Sequence, residues 1–233
     1  MRCAFGWLGE IEVNASNDRL IAALAEDLRP VRVLPPPPLR TLLWLLVVAA
    51  VAAGLALFAD VTAMWHRITA TADISLAVLG SIATMAAAAL AAFELSVPDR
   101  SRAWALLPLP AAALWIGASG LGCLRAYIVP GTHVAALGES RDCLLFIIGL
   151  SVPLAAVLVV MLRRACSLAP SLTAAMAGLA AAAAAAALLN FFHPFDSAAT
   201  DLVVHAAAVL IVIVAVRALG SRALGTRMPQ NSQ

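Results

Sequence analysis

Residues 41–59 read TLLWLLVVAAVAAGLALFA and contain no charged side chain. A helix that crosses the hydrocarbon core of a bilayer needs about 20 consecutive, mainly apolar residues. Five further segments of this kind follow, of which the last needs a residue or two more at each end: Ile74–Phe93, Ala103–Leu121, Leu144–Leu162, Leu172–Phe192 and Leu202–Val216. The pattern predicts an all-α membrane protein with six transmembrane helices.

The composition of the 233-residue chain agrees with this class. Hydrophobic residues make up 63% of it and charged residues 12%, and the mean hydropathy is +0.97. Soluble domains contain about 25% charged residues. The sequence also contains no Walker, HExxH or GxSxG motif, which are patterns that mark common catalytic sites. We therefore predict no catalytic residue, no enzyme activity and no cofactor.

The basic residues predict the orientation in the membrane. All fifteen are arginine. If both termini are cytoplasmic, three arginines face outward, namely Arg67, Arg125 and Arg141, and twelve face inward, namely Arg2, Arg19, Arg29, Arg32, Arg40, Arg100, Arg102, Arg163, Arg164, Arg217, Arg222 and Arg227. Because short cytoplasmic loops are enriched in basic residues, this distribution predicts that both termini are cytoplasmic.

Residues 1–39 form a predicted cytoplasmic tail, which contains one short amphipathic helix at residues 18–29. Ser16, Asn17 and Asp18 are N-cap candidates, and Pro30 ends the helix. One face of it carries four apolar side chains, Leu20, Ile21, Leu24 and Leu28. A helix of about three turns is marginal in water, so we expect it to pack either on the membrane surface and the cytoplasmic loops or in a groove on a partner protein.

The segment after this helix favours the partner protein. Residues 30–38 form a proline-rich spacer, in which Pro35–Pro38 favours polyproline II, a semi-rigid conformation. Helices that lie on anionic membranes are usually basic, whereas Glu26 and Asp27 offset the arginines of this one. We expect the six-helix domain to span residues 40–217 and a cytoplasmic C-terminal tail to follow at 218–233.

The string LIAALAEDLRPVRVLPP, residues 20–36, resembles the N-terminal signature of the NrsF-like membrane anti-sigma factors of proteobacteria. Further segments resemble the fourth and fifth helices of that family and the loop between them: Cys143, Leu150–Pro153, Leu162–Arg164, Ala169-Pro170 and Ala175–Leu179. The similarity covers about Leu20 to Val216. It implies a multi-pass protein of the bacterial inner membrane whose tail sequesters an extracytoplasmic-function sigma factor and releases it on periplasmic stress.

The resemblance also implies that cysteines near the outer face take part in sensing. Cys123 and Cys143 are predicted there, whereas Cys3 and Cys166 are predicted in the cytoplasm, where thiols stay reduced. The chain departs from the family at His193-Pro194, because relatives carry a cysteine directly after the histidine. Cys143 then acts alone or pairs with Cys123; the alternative is that both are small buried apolar residues.

Histidines complete the set of candidate sensing residues, which is Cys143, Cys123, His193 and His205. His205 lies about one turn inside the sixth helix, where a titratable group is a functional candidate; the alternative is an interfacial histidine bonded to the preceding loop. Cysteine and histidine together suit Zn²⁺ or Cd²⁺. The outer candidates, which also include His133, Glu139, Asp142, Asp196 and Asp201, have no ligand spacing, so the sequence leaves a metal site open.

Two classes of function follow. The first is an anti-sigma factor, whose partners are an extracytoplasmic-function sigma factor and the lipid bilayer; no direct contact with nucleic acid is expected, because the tail has no basic stripe. The second is a small multi-pass transporter or thiol-redox membrane protein that uses the tail as a tether. The predicted helix centres carry no charges and the chain has no CxxC motif, which favours the first class.

Three further features are expected to serve the fold. Trp65 suits an anchor at the membrane interface. Glu94 is expected to reach that interface or to pair with Arg100 or Arg102. Apart from Leu179, the run Gly178–Ala187 consists of alanine and glycine. Such small side chains let helix backbones approach closely in a membrane, although low-complexity drift explains the run equally well.

Overall fold

A computed structural model describes residues 17–26, 34–128, 137–165, 167–192 and 199–225. The chain divides into two compact units, Met1–Leu34 and Pro35–Gln233. All regular structure within the described ranges is helical. This result confirms the predicted all-α fold class.

Helix α1 occupies residues 17–26 of the first unit. The second unit contains, in chain order, α2 (Pro37–Ala56), α3 (Val61–Ala70), α4 (Ala72–Leu95), a 3-10 helix (Arg102–Leu106), α5 (Leu109–Ile128), α6 (Leu137–Leu162), α7 (Pro170–Leu189) and α8 (Ala199–Gly225). Six segments are long and apolar enough to cross a membrane: Pro37–Ala56, Ala72–Leu95, Arg102–Gly122, Leu144–Leu162, Pro170–Leu189 and Ala206–Leu224. Each of them overlaps one of the six predicted spans.

Helix α7 forms the centre of the second unit. It packs against α4, α6 and α8, and its alanines from Ala180 to Ala185 are all fully buried. Methyl side chains keep neighbouring backbones close in a membrane bundle, where packing rather than the hydrophobic effect holds helices together. The structure therefore favours close packing over sequence drift as the explanation of the alanine run.

Two glycines lie where pairs of helices come closest. A Cβ atom added at Gly80 would lie 2.7 Å from the backbone nitrogen of Trp115 in α5, and one added at Gly178 would lie 2.9 Å from the Cα atom of Ile213 in α8. Real Cβ atoms essentially never make contacts shorter than 3.0 Å. The close approaches of α4 to α5 and of α7 to α8 therefore depend on these two residues.

The predicted first outer loop contains a helix that the hydropathy pattern does not reveal. Helix α3 begins after Asp60, whose carboxylate accepts a hydrogen bond of 2.9 Å from the backbone N–H of Ala63. Such a side-chain bond satisfies a donor that the first turn of a helix leaves free. The helix is only ten residues long and polar in part, so it does not resemble a span.

The third and sixth spans also differ from the prediction in their bounds. A 3-10 helix at Arg102–Leu106 precedes α5, which begins at Leu109, so Ala103–Leu121 is not one continuous α-helix. Pro108 lies at this junction, and proline lacks the N–H that a helix interior requires. Helix α8 continues through Gly225, nine residues beyond the predicted end at Val216, because helix formation does not stop where hydropathy falls.

Candidate functional site

Helix α1 presents three of the four predicted partner-binding side chains. Leu20 is 59% exposed, Ile21 63% and Leu24 61%. Spacings of one, three and four residues place all three on one face of a helix. Leu28, the fourth, lies outside the described residues.

Arg40 lies in the first turn of α2 and is only 4% exposed. One guanidinium nitrogen donates to the carbonyl oxygen of Met161 near the end of α6 at 2.7 Å, and the other donates to the hydroxyl of Ser96 after α4 at 3.2 Å. The guanidinium carbon also lies 4.6 Å from the centre of the Phe93 ring. A single cation therefore joins α2 to two other helices.

Trp44 adds a second bond between α2 and α6. It lies one helical turn after Arg40 and is fully buried, and its indole N–H donates to the carbonyl oxygen of Leu154 at 3.2 Å. Val48, a further turn along, is also buried. The inner face of α2 thus begins with a charged residue and continues with apolar ones.

Arg40 lies at the end of the bundle where α2 and α7 both begin at a proline, which we name the proline end. Hydroxyl groups join Arg40 there in a polar cluster. Ser96 donates to the carbonyl oxygen of Phe93 at 2.6 Å, and Ser167 donates to that of Leu95 at 3.1 Å. Ser167 and Thr173 also share a hydrogen bond of 2.8 Å. These bonds bring side-chain donors to carbonyls in the last turn of α4, where helical partners run out.

Glu94 is buried at the proline end and forms an ion pair with Arg100. Their Oε2 and Nε atoms are 3.0 Å apart, the Glu94 side chain is 6% exposed and the Arg100 side chain is 49% exposed. Of the two arginines that the sequence allowed as partners, Arg100 is the one found.

The opposite end of the bundle, which we name the asparagine end, joins α3, α6 and α7. Arg67 of α3 donates to the carbonyl oxygen of Asn190, directly after α7, at 3.3 Å. The rings of Phe146 in α6 and Phe192 lie 5.9 Å apart. Trp65 in α3 is 63% exposed; its role at a membrane interface stays a prediction.

Three candidate sensing residues lie in helices whose backbones are described, although their side chains are not. Cys143 lies in the second turn of α6, Cys123 near the end of α5 and His205 in the second turn of α8. His193 lies outside the described residues. Helix α5, which carries Cys123, packs against α4 and α8. Helix α6, which carries Cys143, packs against α7, α8 and α2. The two helices with the candidate cysteines therefore pack mainly against other helices rather than against each other.

In the sequence, Cys143 and His193 are each close to one of the two rings that form the aromatic contact at the asparagine end. Cys143 is three residues, or about one turn, before Phe146, and His193 directly follows Phe192.

No group of three or more His, Cys, Asp and Glu residues that could hold a metal ion occurs among the residues whose structure is described. Several predicted candidates, among them His133 and Asp196, are not part of that set. A metal site at the outer cysteines remains a sequence-based hypothesis.

The proline-end cluster is the feature that sequence reasoning missed. In the sequence analysis Arg40 served only to predict the orientation, as one of twelve arginines expected on the cytoplasmic side. Its position was nevertheless a signal, because it is the only charged residue in Pro37–Ala56 and shares a helical face with Trp44 and Val48. Its partners, a hydroxyl and a carbonyl 56 and 121 residues away, leave no local trace in the sequence.

Comparison with known proteins identifies the family. The family model described as NrsF, negative regulator of sigma F, matches residues 24–225. Searches of curated proteins and of solved structures found no match. The matched segment begins within α1 and includes the linker, the proline-end cluster and all six long apolar segments. The chain therefore belongs to the family of negative regulators of sigma F.

Proposed function

We propose that this protein is an inner-membrane anti-sigma factor with both termini in the cytoplasm. Its tail helix α1 holds an extracytoplasmic-function sigma factor and keeps it from RNA polymerase. Oxidant or a soft metal acting near the outer cysteines releases the sigma factor. The protein works by binding, without catalytic turnover.

The exposed apolar face of α1 is the observation that carries this proposal. Leu20, Ile21 and Leu24 are each about three-fifths exposed. An amphipathic helix commonly binds by laying such a face into a hydrophobic groove of a partner. Because the family regulates a sigma factor, a sigma factor is the partner that best fits this face.

The linker supports the same function. Pro36, directly before α2, has φ −60° and ψ 149°, which are polyproline II values. The expected polyproline II segment is shorter than predicted, because Pro37 and Pro38 form the start of α2, where a helix needs no N–H from proline. A proline-rich spacer of this kind keeps a binding segment away from its anchor. The tail helix would then meet a soluble partner in the cytoplasm while its anchor stays in the bilayer.

Leu24→Arg tests the binding face. A fully buried leucine anchor contributes about 1–3 kcal/mol, and an arginine in its place would also bring an unpaired charge into the groove. We expect Leu24→Arg to release the sigma factor and raise sigma-dependent reporter output without inducer. The matched control is Ala22→Arg, which makes a similar change on the opposite face of α1 and should leave the reporter repressed.

Membrane abundance of both variants must equal that of the unaltered chain, so that release is separated from loss of the protein. A full chain that co-purifies with no extracytoplasmic-function sigma factor from its own cell would contradict the proposal. Equal reporter output in Leu24→Arg and Ala22→Arg would show that the apolar face is not the binding surface.

Cys143→Ser and Cys123→Ser test sensing. If Cys143 acts alone, Cys143→Ser abolishes the reporter response to oxidant and cadmium while Cys123→Ser responds normally. If the two form a disulfide, which requires Cα atoms within about 7 Å, both variants lose the response. Normal responses in both would show that these thiols are only packing residues.

A further inference from the structure

Arg40 is a buried cation bonded to neutral groups. Arg100 forms an ion pair with the carboxylate of Glu94. Arg40 instead donates its hydrogen bonds to a hydroxyl and to a carbonyl. Burying a charge is costly unless hydrogen bonds and nearby charge compensate it. The ends of the helices around Arg40 are one source of this compensation.

Those helix ends supply the missing negative charge. Met161 is next to the last residue of α6, and Ser96 is the C-cap of α4. The last four carbonyls of a helix have no partner within it, and the helix dipole places partial negative charge at the same end. Arg40 thus lies where two helix C-termini converge, which is a favourable position for a cation.

The chemistry of arginine suits this position better than that of lysine. The planar guanidinium carries five N–H donors in a fixed fork. It can bond acceptors on two helices at once while one face lies on the Phe93 ring, at 4.6 Å from the centroid. The first turn of α2 is therefore held in a position that α4 and α6 define jointly.

The place of Arg40 in the chain gives this bond a consequence for the tail. Only Pro37, Pro38 and Leu39 of α2 precede it, and the linker precedes them. Because proline has a fixed φ angle and Pro36, Pro37 and Pro38 follow one another here, a displacement of the first turn of α2 passes to the chain just before it. Trp44 bonds α2 to α6 one turn further on, so α6 contacts α2 at two successive turns.

We propose that Arg40 is a positioning residue through which the ends of α4 and α6 set where the linker leaves the bundle. The proposal rests on the proposed function and deepens it. Helix α6 also carries Cys143 toward its other end, so a change there would reach the linker through Met161 and Arg40. Binding of the sigma factor itself does not require Arg40.

Two measurements on the full chain test the proposal. The first is the distance between spin labels at Leu39→Cys, directly after the linker, and Leu168→Cys in lipid nanodiscs, with the four native cysteines replaced by serine. Both label positions are exposed. We expect a narrow distance distribution that broadens in Arg40→Gln and broadens less in Arg40→Lys, which keeps the cation. The control Arg102→Gln, the same change at an exposed arginine, should leave the distribution unchanged.

The second measurement is sigma-dependent reporter output with native cysteines in place. Arg40→Gln should keep the repressed level without inducer and lose the response to oxidant and cadmium. A residue that only stabilised the fold would instead lower membrane abundance and raise the uninduced output. Ser96→Ala removes one hydrogen-bond acceptor of Arg40 and no charge, so it should broaden the distance distribution less than Arg40→Gln. It replaces Arg40→Gln as the test if that variant does not insert into the membrane.

An unchanged distance distribution in both Arg40→Gln and Ser96→Ala would overturn the proposal. So would a normal response to inducer in an Arg40→Gln chain whose distribution has broadened. If neither agent induces the unaltered chain, the proposed trigger is wrong, while the distance measurement still decides whether Arg40 positions the linker.

Discussion

At the scale of single residues, Glu94 and Arg100 form an unequal pair. The glutamate is buried and the arginine is half-exposed. Removing the arginine leaves a buried carboxylate without its partner, and an unsatisfied buried acceptor costs about 1–3 kcal/mol. We expect Arg100→Gln to lower the thermal unfolding midpoint of the purified protein in detergent.

The double variant Glu94→Gln with Arg100→Gln should recover most of that loss, because a neutral amide is cheaper to bury than a carboxylate. Arg102→Gln is the matched control, since Arg102 is exposed. A midpoint for Arg100→Gln equal to that of the control would show that the pair does not stabilise the fold.

At the scale of helices, Gly80 and Gly178 govern how closely two pairs approach. Gly178→Ala places a methyl group against the backbone of α8, and Gly80→Ala places one against α5. Overpacking of this kind typically costs about 1–3 kcal/mol. Both variants should unfold at lower temperature than the unaltered protein.

Gly117→Ala is the control, because a Cβ atom added there meets nothing within 4 Å. Alanine is also the better helix former by about 1 kcal/mol, so this variant should be neutral or stabilised. A loss of stability in Gly117→Ala as large as in Gly178→Ala would argue against a special role for the close contacts.

The six spans were predictable because hydropathy is a local property that accumulates over about 20 residues. Features that depend on packing were not. Helix α3 is short and partly polar, and the break at Pro108 falls inside an apolar run. The bonds of Arg40 join residues far apart in the chain. For the candidate site, helical periodicity predicted the apolar face of α1, and the family resemblance suggested the partner that we propose for it.

At the scale of the whole molecule, the arginine distribution predicts the orientation. Ala70→Cys and Asp99→Cys place exposed thiols at the last residue of α3 and after α4, on opposite sides of the predicted membrane. A membrane-impermeant thiol reagent added to intact spheroplasts should label the first and not the second. The unaltered chain, with its own cysteines, gives the background; the reverse pattern would invert the proposed topology.

The alanine-rich centre of α7 has a mechanical consequence. Helices usually fix their mutual register by fitting ridges of large side chains into grooves, and a surface of methyl groups offers only shallow ones. Axial slip along this helix therefore meets little resistance from the middle of the bundle. Register then depends on bonds at the extremities. At one of them Thr173 is bonded to Ser167, which donates to the Leu95 carbonyl, and at the other Arg67 donates to the Asn190 carbonyl. Breaking the bonds at either end of α7 should therefore allow neighbouring helices to shift along its axis.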